Sequence, residues 1–165
     1  MNRIKKSNGF SIIELSLALI VVGLVISAIY PAILQSLHWS QYEKGKEVVQ
    51  TARQEIVGSA MINGTLPESL ETVGHTVDPW NDDLFYRNAT NLGKICEFNA
   101  TNSSTDLTLR TTDNKTIENV AFLVGSKGED GMVDSKIRTD PVELDAHDIV
   151  EYVTLQYLKN KLDCQ

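Results

Sequence analysis

Residues 9–37 read GFSIIELSLALIVVGLVISAIYPAILQSL, and residues 10–34 within them are almost wholly apolar. A helix of about 25 residues is long enough to cross a hydrocarbon core roughly 30 Å thick. One acid, Glu14, lies near the start of this stretch. A carboxylate inside a membrane-spanning segment costs roughly 2.5–3.5 kcal/mol on insertion scales, so Glu14 indicates a functional pairing.

The residues around this stretch favour a membrane helix whose N-terminus stays in the cytoplasm. Arg3, Lys5 and Lys6 lie just before it, and basic residues of this kind are retained on the cytoplasmic side. A cleaved secretory signal would have a shorter apolar region followed by a small-residue cleavage site. A plain membrane anchor leaves Glu14 unexplained, and the core helix of a soluble protein rarely runs so long without a polar face.

A short motif at the start of the stretch gives a more specific interpretation. Residues 9–14, GFSIIE, follow a short basic leader and resemble the processing motif of type IV pilins and of type II secretion pseudopilins. The resemblance implies that a prepilin peptidase cuts between Gly9 and Phe10 and that Phe10 becomes the N-methylated first residue. Glu14 and Pro31 then fall at positions that members of this family typically fill with the same residues.

The roles implied by this resemblance are physically reasonable. Glu14 would neutralise the terminal amine of Phe10 on a neighbouring subunit, so that both buried charges are compensated only on assembly. Losing one partner of such a pair costs about 3–5 kcal/mol. Pro31 lacks a backbone N–H and clashes with the preceding turn, which predicts a kink or a local opening of the helix; its alternative role is that of a tolerated transmembrane proline.

The sequence after the apolar stretch predicts that the helix continues to about residue 62 and that a globular domain, here called the head, follows it. Apolar residues recur every three or four positions from Val48 to Ala60, as on a helix with one buried face, and Asn63-Gly64 is a stop signal. We therefore expect four segments: a leader over 1–9, a transmembrane and filament-core helix over 10–37, an amphipathic continuation over 38–62, and a globular periplasmic head over 63–165.

The sequence of the head predicts an α+β fold, as in pilins, with an antiparallel sheet of about four or five strands against the long helix. Five short runs rich in β-branched or aromatic residues are expected as strands; they are Leu84–Arg87, Ile95–Phe98, Leu107–Arg110, Val120–Val124 and Ile149–Thr154. Leu155, Leu158 and Leu162 have helical spacing, and Thr154 is a candidate cap for that terminal helix.

The two cysteines, Cys96 and Cys164, both lie in the part expected to be exported. Outside the cytoplasm such a pair favours a disulfide that ties the C-terminus to the head. The alternative is a pair of free buried thiols.

An acidic loop is a candidate calcium site. Residues 125–131, GSKGEDG, precede several aspartates, and the segment resembles the calcium-ordered loop of the major pseudopilin. By position Asp130 and Asp148 match best, followed by Asp145 and Asp134, and calcium prefers six to eight oxygen ligands. The alternative is a solvated acidic loop that binds no metal.

The net charge and the absence of catalytic motifs argue against two classes of function, nucleic-acid binding and enzymatic catalysis. The formal net charge is −7, which argues against nucleic-acid binding as a main task. His38, His75 and His147 are isolated, and neither a zinc-binding spacing nor a phosphate loop is present. We therefore do not expect an enzyme.

The resemblance implies a structural subunit of a type II secretion pseudopilus, assembled into a helical filament after processing. Its partners would be like subunits, the prepilin peptidase, the inner-membrane assembly platform and the lipid bilayer. It would begin as a single-pass inner-membrane protein with a periplasmic head. The alternatives are a type IV pilin, for adhesion, motility or DNA uptake, and a membrane-anchored periplasmic binding module that never polymerises.

Overall fold

The computed structural model describes residues 11–74, 76–98 and 104–164. Its internal contacts divide the chain into two units, Met1–Ser40 and Gln41–Gln165. The elements in chain order are helix α1 (Ile12–Asn63), a 3-10 turn (Leu70–Thr72), strands β1 (Phe85–Asn88), β2 (Leu109–Arg110), β3 (Thr116–Ile117), β4 (Val120–Ser126), β5 (Val142–Glu143) and β6 (Ile149–Thr154), and helix α2 (Leu155–Lys161). The expected α+β class, with a long N-terminal helix and a small antiparallel sheet, is confirmed.

Helix α1 runs for 52 residues and ends one residue beyond the predicted Ile62. Gly64 terminates it because this residue adopts φ +71°, a conformation that glycine takes without steric cost. The Gly64 N–H donates to the carbonyl oxygen of Ala60 at 2.8 Å. This is the closing hydrogen bond expected at a helix C-terminus.

In the first unit, α1 is long and apolar enough to cross a membrane. An 18-residue window of the helix has a mean hydropathy of 2.7, and none of that window is buried within the protein. Large apolar side chains such as Ile12, Leu19 and Ile26 are more than half exposed. The protein itself therefore provides no apolar cover for this surface in the part of the chain that is described.

In the second unit, the remaining part of α1 buries the face that its sequence periodicity predicts. The buried positions between residues 41 and 63 are Gly45, Val49, Ala52, Ile56, Val57 and Ala60. Gly45 allows a close approach, since a Cβ atom there would lie 2.8 Å from Cδ1 of Ile149 and 2.9 Å from Cζ3 of Trp80. Glycine at this position lets a strand residue and a loop tryptophan pack directly on the helix backbone.

The main sheet has the strand order β1-β4-β6, with antiparallel pairing throughout. Every residue of the central strand β4 is buried, which explains its unbroken apolar run from Val120 to Val124. The edge strand β6 leads directly into α2. The Thr154 hydroxyl caps this helix by accepting from the Tyr157 N–H at 3.4 Å, so the predicted capped terminal helix is confirmed.

A second sheet departs from the prediction of a single antiparallel sheet of four or five strands. Its order is β3-β2-β5, and β2 pairs parallel with β5. The strands β3 and β5 contain two residues each, too few to give an alternating pattern in the sequence. The parallel pair joins segments far apart in the chain, which local sequence patterns do not reveal.

The strand predicted over Ile95–Phe98 is wrong, because this segment forms a turn. Ile95 is fully buried, and its N–H donates to the Gly64 carbonyl oxygen at 2.9 Å rather than to a strand. Cys96 is held by a disulfide to Cys164. The apolar character that suggests a strand instead serves to anchor a turn beside the end of α1.

Candidate functional site

The predicted processing site, Gly9 and Phe10, lies outside the described residues. The structure begins to describe the chain at Ser11, and Glu14 lies in the first turn of α1. The Glu14 carboxylate accepts from the Ser11 backbone N–H at 3.1 Å. In return, the Ser11 hydroxyl oxygen accepts from the Ile13 N–H at 3.4 Å.

This reciprocal arrangement is a variant of the capping box, in which the serine hydroxyl accepts from the N–H of Ile13, two residues later, and the acid three residues later accepts from the serine N–H. It gives Glu14 a local structural role that the charge-pairing argument leaves out. The signal is present in the sequence, since residues 11–14 read SIIE and a serine followed three residues later by an acid is a known helix-start pattern. The processing-site interpretation of residues 9–14 does not include this cap.

Pro31 lies inside α1, and the helix continues through it. The helix is thus not opened at this position, although one intrahelical hydrogen bond is necessarily lost because proline has no N–H. The predicted kink stays a prediction. Two serines on the same helix, Ser16 and Ser27, return their hydroxyls to backbone carbonyls three residues earlier, so their polar groups are satisfied without water.

Cys96 and Cys164 are joined by a disulfide across 68 positions, with their Cα atoms 5.2 Å apart. This is the pair that the sequence predicts. The bond fastens the segment after α2 to the turn that follows β1. Lys159, on α2, also donates to the carbonyl oxygen of Phe98, so the same two parts of the head are linked a second time.

A buried aspartate that the sequence analysis did not select organises the loops at one end of the main sheet. Asp78 accepts from the N–H groups of Trp80 and Asp82 at 3.0 and 2.9 Å, and its other oxygen accepts from the Ser126 hydroxyl at 2.6 Å. The Ser126 oxygen also accepts from the Gly128 N–H at 3.1 Å. These hydrogen bonds connect the loop at residues 78–80 (Asp-Pro-Trp) to the end of β4 and to the glycine-rich loop, residues 125–131.

The glycine-rich loop takes its shape from Gly128 and Gly131, which have φ values of +71° and +68°. A Cβ atom at Gly128 would lie 2.8 Å from the His147 carbonyl oxygen. The loop after β4 therefore packs directly on the backbone before β6. This contact brings together the two segments whose aspartates were predicted as calcium ligands.

The structure groups Asp134, Asp145 and His147, whose ligand atoms lie within 4.8 Å of one another. Of the four predicted ligands, Asp134 and Asp145 belong to this group, whereas Asp130 and Asp148 do not. The Asp130 carboxylate instead accepts from the Met132 N–H at 3.0 Å. Asp148 is buried, and one of its oxygens accepts from the Ser135 N–H at 2.6 Å. Its other oxygen, Oδ1, has no hydrogen-bond partner within the described part of the chain.

The electrostatics of this acidic cluster favour a cation. Desolvation, followed by the carboxylates of Asp130, Asp145 and Asp148, raises the pKa of Asp134. The N–H of His147 is the main group that lowers the pKa of Asp145. A buried carboxylate oxygen without a partner is costly, and hard cations such as calcium satisfy carboxylate oxygens. Asp134 and Asp145 are therefore the two candidate ligands that the structure brings together, with His147 Nδ1 3.8 Å from the first and 3.0 Å from the second.

Comparisons with protein-family models, curated proteins and solved structures give no match to this chain.

Proposed function

We propose that this protein is a structural subunit of a pilin-like filament and, within that class, of a type II secretion pseudopilus. One observation carries the proposal. Helix α1 exposes an almost unbroken apolar surface over its first half, and a single carboxylate, Glu14, lies in its first turn. The helix then continues into a small α+β head.

A helix of this kind needs two different environments. While the subunit is a monomer, the bilayer covers the apolar surface. In a filament, the corresponding helices of neighbouring subunits would cover it. The carboxylate is unfavourable in the first environment and would be compensated by the Phe10 amine of a neighbour in the second. Its presence thus favours a protein that assembles over one that is merely anchored.

Deletion of the gene tests which machine the subunit serves. Secreted proteins and surface filaments are compared between the deletion strain and its parent. Lost secretion with intact surface filaments supports the pseudopilus, which we expect. Lost surface filaments with normal secretion would instead identify a type IV pilin. If the deletion changes neither result, a redundant minor subunit or the non-polymerising anchor remains, and Glu14→Ala separates the two, because only the filament subunit should lose assembly.

We also propose that the loops around Asp134, Asp145 and Asp148 hold a calcium ion. The ion would supply positive charge that links the segment after β4 to the segment before β6. The proposal is supported by the unpartnered Asp148 oxygen and by the proximity of the Asp134 and Asp145 carboxylates. Its role would be to order the head surface rather than to take part in a reaction.

A further inference from the structure

Two surfaces of opposite charge lie on the head. The first, here called the basic groove, has a volume of about 370 Å³ and lies between α1 and α2. The residues that define it are Arg53, Val57, Met61, Tyr157 and Lys161. The guanidinium of Arg53 lies 5.2 Å from the centre of the Tyr157 ring, and the Lys161 ammonium lies 5.8 Å from it.

The positive charge that the basic groove leaves available for a partner comes from Lys161. Arg53 forms an ion pair with Glu151, with Nε 3.8 Å from a carboxylate oxygen, and this buried Nε donor has no hydrogen-bond partner in the described ranges. Lys161 forms no ion pair with any residue that the structure describes. Met61 is 49% exposed and adds apolar surface to the groove.

The second surface, here called the acidic turn, is formed by residues 68–72, which include the 3-10 turn Leu70–Thr72. Glu68 and Glu71 are exposed on it, and Asp83 lines the same hollow beside it. None of these three carboxylates forms an ion pair within the described part of the chain. The neighbouring Tyr86 hydroxyl donates to the Pro67 carbonyl oxygen at 2.9 Å, and burial raises the pKa of this tyrosine. Tyr86 is therefore neutral, and the negative charge of the surface comes from the carboxylates.

The two surfaces lie at opposite edges of the main sheet. The acidic turn adjoins β1, through the hydrogen bond from Tyr86. The basic groove adjoins β6, through Arg53 and Glu151 and through α2, which follows that strand directly. Since β4 separates β1 from β6, neither surface can satisfy the other within one head.

We propose that the basic groove of one subunit binds the acidic turn of a second copy of this chain. The inference rests on the proposed filament function and specifies one of its contacts. A contact between two different surfaces is heterologous, and repetition of such a contact generates an open helix unless the rotation closes it into a ring. The turn carries two exposed carboxylates, and the groove combines apolar surface with the Lys161 ammonium, so the charges of the two surfaces are complementary.

Charge reversal with co-expression tests the contact in the full-length chain. One variant carries Arg53→Gln with Lys161→Glu, and the other carries Glu68→Lys with Glu71→Lys. Each variant alone should yield at least about tenfold fewer filaments, because like charges would face each other at every contact. Co-expressed, the two variants should recover filaments, since each mutated surface then meets its complement on the other variant. Lys115→Glu and Asp113→Lys, in the turn between β2 and β3, are the exposed controls and should leave the yield unchanged.

A photocrosslinking residue in place of Met61 tests the same contact without altering any charge. The expected crosslinked peptide contains residues 68–72 of a second copy. Crosslinks to other segments, or none, would overturn the contact, as would filament yields that the reversed charges leave unchanged. The proposed function is tested separately: if the unmodified chain forms no filaments, the filament function itself fails, whatever the crosslinks show.

Discussion

Glu14 and Ser11 form a reciprocal pair at the start of α1: the Glu14 carboxylate accepts from the Ser11 N–H at 3.1 Å, and the Ser11 hydroxyl caps the same turn. The proposed filament gives the same carboxylate a second role, as the partner of a terminal amine on a neighbouring subunit. The two roles depend on different properties. Capping requires a hydrogen-bond acceptor, whereas the intersubunit pair requires a negative charge, so substitutions can separate them.

The processing prediction has a direct chemical test. If the resemblance at residues 9–14 is correct, the mature protein lacks residues 1–9 and carries one added methyl group on Phe10. Intact-mass measurement of the protein purified from its membrane determines both changes. Gly9→Ala is a suitable comparison, because a peptidase that requires glycine at the cut should process it poorly. A mature protein that retains its leader would contradict the resemblance.

Close packing at Gly45 predicts a large effect from a small substitution. Gly45→Ala places a methyl group within 2.9 Å of Ile149 and Trp80, and such overpacking costs about 1–3 kcal/mol. Gly58→Ala, in the same helix with nothing within 4 Å of the new Cβ atom, should stabilise the helix by about 0.5–1 kcal/mol. Denaturant unfolding of the full chain in detergent measures both. Equal effects of the two substitutions would show that the approach at Gly45 is not tight.

Removal of the disulfide should weaken the head. Cys96→Ser with Cys164→Ser releases a loop that spans 68 positions, and chain-entropy estimates give a loss of about 4 kcal/mol for a loop of this size. Denaturant unfolding should show a lower midpoint for the double variant. The unmodified protein should approach the same midpoint in the presence of a reductant. An unchanged midpoint in both experiments would mean that the bond contributes nothing to stability.

Calcium should stabilise the head through the acidic cluster. A ligand at about one hundred times its dissociation constant adds roughly 2.7 kcal/mol to the free energy of unfolding, so calcium should raise the melting temperature. Asp134→Asn and Asp148→Asn should each reduce that increase, because each removes a carboxylate charge from the site. Asp113→Asn, on an exposed turn away from the cluster, should leave it unchanged. A melting temperature that does not respond to calcium would contradict the site.

Sequence patterns predict those parts of the fold that depend on local or periodic features. The long helix follows from its apolar run, and its end follows from Asn63-Gly64. The boundaries of β6 match the prediction because the run from Ile149 to Thr154 is rich in β-branched residues. The strand predicted at Ile95 is wrong because local patterns do not reveal long-range hydrogen bonds. Its apolar side chain suggests a strand, but its N–H donates to the carbonyl oxygen of Gly64, about thirty positions away.

The head loops show the same limit. Asp130 is favoured by its position in a glycine-rich motif, yet its carboxylate is used within its own turn. The role of Asp78 depends on Ser126, which is 48 positions away, and that of Asp148 depends on Ser135. Such pairings arise from the tertiary fold, so a single sequence does not reveal them. The capping box at Ser11 and Glu14 is different, because its signal is local and could have been found.

The central claim is that the charge of Glu14 is required for assembly, and Glu14→Gln is its most direct test. The carboxamide retains an acceptor for the Ser11 N–H, so the helix start is preserved, while the negative charge is lost. Ser11→Ala is the matched control, since it removes the hydroxyl cap and keeps the charge. Filament yield and membrane insertion are measured for both variants. We predict that Glu14→Gln inserts into the membrane but forms no filaments. Ser11→Ala should both insert into the membrane and form filaments. Normal filaments from Glu14→Gln would contradict the account and leave Glu14 as a helix cap alone.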